Sequence, residues 1–224
     1  MKHPKKYIVP IFLLLFNLSV LGQTTDDRFN VNHGVSISKV DSSLKSKLQL
    51  LQFDSSIGIV FPAEYATTIL SQNYDWQNKQ TFTPDTSLIK IVENEIPRQY
   101  CRANKTFEDS NWRYEKASYF RIREHKEFKK AKKRYNYWLK LIDTACPKWK
   151  HDLIYFDKQF MGYISAIGER IILIQLCDFR QDPYLLKSIF NESWIDGWHG
   201  WFETNRRLLH FNVDKNLLTI NEDY

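Results

Sequence analysis

Arg170-Ile171-Ile172-Leu173-Ile174-Gln175-Leu176-Cys177 is the stretch that decides the fold. Its apolar side chains point to both faces of an extended chain. The segment therefore reads as a strand at the centre of a sheet, covered on both sides. Upstream, Gln159 to Ile164 has the same period of two. Ser165-Ala166-Ile167-Gly168 joins the pair, with Gly168 suited to the positive φ of a turn. Downstream, Asp182-Pro183 opens a short helix over Tyr184 to Phe190. Trp194 to Asp196, Trp201 to Thr204, Leu208 to Val213 and Leu217 to Ile220 read as further strands. Turns through Gly197 to Gly200 and Asp214-Lys215-Asn216 separate them. The C-terminal part thus predicts an antiparallel meander of four or five strands.

Further upstream the period changes to that of a helix. Leu44, Leu48 and Leu51 predict a short amphipathic helix within Ser43 to Phe53. Ile57 to Phe61 reads as a short strand stopped by Pro62, and residues 71–81 as a loop. Thr83-Pro84-Asp85 is a helix start: Thr83 can cap, Pro84 needs no N–H, and Asp85 faces the positive end of the dipole. Ile89, Val92 and Ile96 line one face before Pro97, which is expected to end or kink the helix. Cys101 to Asn111 reads as a polar connection. Phe128, Ala131, Tyr135, Trp138 and Ile142 form the stripe of a longer helix, which Cys146-Pro147 ends; Phe120 to Arg123 upstream alternates and reads as strand or helix, helix being preferred. Helices first and strands later predict an α+β domain over residues 35–224. Its helical part covers about 35–150 and its sheet part about 151–224.

The first 22 residues carry a different message. Lys2, Lys5 and Lys6 precede an uncharged apolar run, Ile8 to Val20, closed by Val20-Leu21-Gly22. This is the layout of a secretory signal peptide, with cleavage between Gly22 and Gln23. A membrane anchor fits less well. The run would span about 21 Å as a helix against a bilayer core of about 30 Å, and Asn17 lies within it. Residues 23–34 are polar and read as a flexible leader. No transmembrane span is expected once the signal is removed.

Loss of the signal removes three Lys and no acid. The mature chain then has 29 basic and 26 acidic side chains, net +3 instead of +6. An apolar content of 43% with seven Gly argues for a packed domain rather than a disordered or repetitive chain. Three cysteines, Cys101, Cys146 and Cys177, allow one of three bridges in an oxidising compartment, or none. No C-x-x-C, H-E-x-x-H, G-x-S-x-G, P-loop or G-x-G-x-x-G motif is present, so no cofactor or metal is expected.

Several of these segments resemble a family of exported, uncharacterised proteins from Gram-negative bacteria. The resemblance rests on Phe82-Thr83-Pro84-Asp85 with Ile89 and Glu93, and on Lys158 to Ile164. It continues through Gly168 to Cys177, then Asp196-Gly197 with Trp201-Phe202-Glu203. Lys158, Gln175 and Trp198 depart from it, standing where Arg, Asn and Gly are expected. The resemblance implies export and an α+β fold with a C-terminal antiparallel sheet, and supplies no activity.

Two surfaces are candidates for function. Residues 113–134 hold ten Lys and Arg against three Glu, net +7, so the rest of the mature chain is net −4. Within it Lys126, Lys129, Lys130, Lys133 and Arg134 form a possible polyanion surface. Outside the cytosol its partners would be anionic glycans, lipid headgroups or an acidic envelope protein, and nucleic acid is not expected. Trp194, Trp198, His199 and Trp201 form a possible ligand surface, in which aromatic rings could stack on sugars or peptides. A thiol nucleophile at Cys177 with His199 or His210, and a carboxylate pair Asp196/Glu203, are the catalytic alternatives considered. The sequence as a whole points to a non-enzymatic binding or interaction domain in the periplasm, at the cell surface or outside the cell. The alternative is a small hydrolase acting on envelope polymers.

Overall fold

In a computed structural model of the chain, which describes residues 36–73, 80–122, 125–197 and 201–220, the run Arg170–Cys177 forms a strand buried from Ile171 onward. The expected signal peptide, its cleavage site Gly22/Gln23 and the leader 23–34 lie outside the described residues. The elements in chain order are β1 (Ser36–Lys39), a 3-10 turn (Ser42–Lys47), β2 (Gln49–Gln52), β3 (Ile57–Val60), α1 (Ala63–Asn73) and β4 (Thr81–Phe82). The helices α2 (Thr86–Ile122) and α3 (His125–Asp152) follow, then a 3-10 turn (Leu153–Tyr155), β5 (Asp157–Ile164) and β6 (Arg170–Cys177). A further 3-10 turn (Leu186–Ile189), β7 (Ser193–Asp196), α4 (Trp201–Asn205), β8 (Arg206–Asn212) and β9 (Leu217–Ile220) complete the chain.

The class is α+β, and the expected antiparallel run is present as β5-β6-β8-β9. Gly168 has φ 83° in the β5–β6 turn, as its position requires. The sheet is nevertheless mixed. N-terminal β3 lies parallel to β5, with β2 antiparallel on its outer side and β4 paired to the far end of β5. A parallel neighbour needs a long crossover, which residues 61–156 provide. β7 leaves the meander and pairs with β1 in a separate two-stranded sheet. Nor are the helices all N-terminal. Trp201 to Asn205 is a helix because Trp201 and Phe202 are both buried, which alternation in a strand would not allow. The segment Ser43 to Phe53 divides into a 3-10 turn and β2, since the turn buries none of its residues and gives a helix no anchored face.

Two apolar clusters sandwich the sheet. On one side Ile89, Val92, Ile96, Tyr100 and Ala103 of α2, with Ile142 and Cys146 of α3, cover Ile172, Ile174 and Leu209. On the other, Tyr65 and Ile69 of α1, with Phe190, Trp194 and Trp201, cover Met161, Leu173 and Cys177. A buried polar ladder fixes this second layer. The Gln159 amide donates to the carbonyls of Phe190 (2.9 Å) and Ser193 (2.7 Å), and the Gln175 amide donates to Gln159 Oε1 (3.0 Å) and to the Ile195 carbonyl. β7 is thereby tied to the sheet face rather than to its edge.

α2 and α3 form one long helical hairpin, which departs from the expected loop between Cys101 and Asn111; of the two outcomes expected at Pro97, an end or a kink, the helix does not end there. Pro97 costs α2 one hydrogen bond, to the carbonyl of Glu93. Burial of Ile89, Val92, Ile96, Tyr100 and Ala103 on both sides of it outweighs that loss. The helix is capped by Asp85, whose Oδ1 accepts from Leu88 N–H at 2.8 Å, while Thr83 accepts from Ala63 N–H. Pro147 likewise lies inside α3 rather than at its end.

Candidate functional site

The sheet-facing core contains no residue of α2 beyond Ala103 and none of α3 before Ile142. With 1.5 Å per residue, the remainder of α2 (104–122) extends about 28 Å past the sheet. Side chains between the helices hold this projection together. The Trp112 ring stacks on Tyr135 at 5.2 Å and meets Phe128 at 5.5 Å. Tyr135 donates its hydroxyl proton to Asp109 Oδ1 at 2.6 Å, and that carboxylate raises the Tyr135 phenol. Arg134 pairs with Glu115, and Lys105 with Asp143, across the helices. At the base, Cys101 and Cys146 form a disulfide, which selects one of the four states left open by the sequence.

The expected polyanion residues all lie on this projection. Lys126, Lys129, Lys130, Lys133 and Arg134 are exposed on α3, with Lys130 paired to Glu127 at 2.7 Å. With Arg113, Lys116 and Lys132, which are exposed as well, they gather the described cations of residues 113–134 on the hairpin.

The expected aromatic surface is divided. Trp194 is fully buried against Phe61, with its backbone N–H donating to Tyr65 Oη at 2.8 Å. Trp201 is 7% exposed, stacks on Phe179 at 5.5 Å, and donates its indole N–H to the Gln181 carbonyl. Neither ring faces solvent. Trp198 and His199 lie outside the described residues.

The catalytic alternatives are also placed. Cys177 is fully buried, and burial pushes its thiol well above the usual range. In the β6–β8 register Cys177 faces Arg206 while His210 faces Leu173. Four strand residues separate them, about 13 Å, so they form no dyad. Asp196 accepts from Arg206 Nη1 at 2.5 Å and from Gly197 N–H at 2.8 Å, which commits it to an ion pair.

A groove that the sequence reading missed opens beside the hairpin. A cleft of about 450 Å³ lies between the base of the hairpin and the β6 and β8 ends of the sheet. Tyr100, Asn104 and Phe107 of α2 form one wall, and Trp138 and Trp149 of α3 the other. Asp152, Asp178, Arg180 and Arg207 close its lower end. A second concavity of about 260 Å³ shares Phe107, Glu108 and Trp138 with the first and continues between the helices past Trp112 and Tyr135. Asp178 anchors the lower end: its two oxygens accept from Arg180 Nε at 2.9 and 3.0 Å. Burial raises the Asp178 carboxyl, but the Arg180 hydrogen bonds outweigh burial and leave it below the ordinary value. The Arg180 guanidinium also lies 5.3 Å from the Tyr155 ring centroid.

Trp138 is the residue whose role changes most. Its spacing places it in the buried stripe of α3, yet it is 39% exposed. The facing positions on α2 include Asn104 and Glu108, which cannot seal an apolar seam. Recognising this from sequence would have required reading 101–111 as helix. Comparison with family models, curated proteins and solved structures gave no match.

Proposed function

We propose that the chain is an exported, non-enzymatic binding domain of the cell envelope whose helical hairpin presents a polyanion-binding surface. The observation that carries this reading is the segregation of charge onto a projecting, solvated hairpin end, where five cationic side chains of α3 are exposed. Like charges three or four residues apart destabilise a helix slightly, and an external anion would relieve that repulsion. The signal-like start at Lys2 to Gly22 and the resemblance to exported proteins support export. The Cys101–Cys146 disulfide agrees with an oxidising compartment. The protonated, buried Cys177 supports binding over a thiol-dependent hydrolase.

The test is retention on heparin resin and on anionic phospholipid vesicles, the two arms separating glycan from lipid. The K129E/K130E/K133E variant, at net −3, should elute from heparin at clearly lower salt than the wild type at net +3. Equal retention of the variant in both arms would remove the polyanion reading.

A further inference from the structure

We propose that the groove between α2 and α3 is a binding site for a linear, neutral oligosaccharide. Four features of the groove lead there, and of the five basic residues named above only Arg134 lines it. The first is shape. The two concavities share lining residues, so they form one trough suited to an extended ligand rather than a compact one.

The second feature is the aromatic spacing. Trp138 and Trp149 stand eleven residues apart on one stripe of α3, over about 16 Å of helix. Trp138 leaves 39% of its surface in water although α2 runs alongside. Flat rings with an N–H at one edge suit a sugar, which has apolar ring faces and polar edges.

The third feature is charge. The trough is lined by Glu108, Glu115, Asp152 and Asp178 against Arg134, Arg180 and Arg207. The two signs nearly cancel, so the trough favours neither a polyanion nor a polycation. Ion pairs such as Asp178–Arg180 hold donors and acceptors in fixed positions, which is what hydroxyl recognition needs. A peptide helix would require a continuous apolar seam, and a peptide strand would require a free sheet edge; helical walls studded with carboxylates offer neither.

The fourth is rigidity. Cys101–Cys146 locks the helices together, with Cys101 one residue from Tyr100 and three from Asn104 of the trough wall. A ligand would therefore meet walls already in place, with little ordering left to do.

The experiment is titration of the mature protein with cellohexaose, chitohexaose and maltohexaose, followed by tryptophan fluorescence and calorimetry. At least one hexaose should bind, and at least tenfold more tightly than its disaccharide. W138A should weaken that binding at least tenfold while leaving heparin retention unchanged. D152A, at a side chain that caps no helix, should weaken it severalfold and decides the matter if W138A does not fold. Absence of binding by all three hexaoses at millimolar concentration would overturn the proposal. So would wild-type affinity in the folded variants, or a hexaose no tighter than its disaccharide.

Discussion

Replacing Lys158 with Met should destabilise the domain in a strongly pH-dependent way. The Lys158 side chain is 4% exposed and its Nζ lies 3.3 Å from Glu93 Oε2, beneath α2. It also donates to Ser56 Oγ at 3.2 Å and sits 4.9 Å from the Phe53 ring centroid. Removing one partner of a buried pair costs about 3–5 kcal/mol when the other stays charged. Glu93 has an escape, because it can take up a proton. From an unfolded pKa of about 4.3, that costs about 1.4 kcal/mol per pH unit, hence at most about 3.7 kcal/mol at pH 7 and about 1 kcal/mol at pH 5.

The wild type has the same tendency in weaker form. Burial raises the Glu93 carboxyl, and Lys158 offsets part of that rise. A carboxyl raised in the folded state contributes stability that is complete below its unfolded pKa and lost as pH rises through the folded value. K158M removes the offset and enlarges this effect. Urea unfolding should therefore show K158M about 3 kcal/mol less stable at pH 7, with the deficit shrinking by about 2 kcal/mol at pH 5. E93L/K158M should lose the pH dependence and recover most of the stability, because neither charge of this pair is left buried. An equal deficit at both pH values would refute the reasoning, since it would mean that Glu93 keeps its water.

Two further outcomes are expected. Opening the Cys101–Cys146 bridge by C101S/C146S releases a constraint across 45 residues, worth about 4 kcal/mol by loop entropy. Tm should fall by about 8–16 °C for a domain of this size, and an unchanged Tm would show that the hairpin base holds without the bridge. Expressed from its full sequence in an exporting bacterial host, the chain should show Gln23 as its first residue on N-terminal sequencing, and a start at Met1 would remove the signal-peptide reading.

Much of the C-terminal half is legible because its signals are local. The apolar run Ile171–Leu176 has only one way to be covered on both faces, and the turns at Gly168 and Asn216 both take positive φ, 83° and 49°. Long-range choices are not written locally. Nothing in Ile57–Val60 says that it will lie parallel to Asp157–Ile164, about a hundred residues away. α2 was obscured by two opposing signals, a proline and a polar stretch. Both are tolerated because one face of the helix is anchored by Ile96, Tyr100 and Ala103. Losing the helix in 101–111 also hid the groove, since Trp138 looks like core until Asn104 and Glu108 are placed opposite it. The cysteine pairing stayed open for the same reason: Cys101 sits on α2, opposite Cys146, only because that helix runs through Pro97. The basic segment was readable at once, because charge excess needs no partner to be seen.

The polyanion surface is tested most directly by titrating fluorescent heparin with the mature protein at 50 mM and 300 mM salt. Wild type should bind at 50 mM salt and weaken sharply at 300 mM, as screening shortens the reach of exposed charges. K129E/K130E/K133E should bind at least tenfold more weakly at 50 mM and lose most of the salt dependence. Equal affinity of wild type and variant at 50 mM salt would contradict the assignment of the hairpin end as the binding surface.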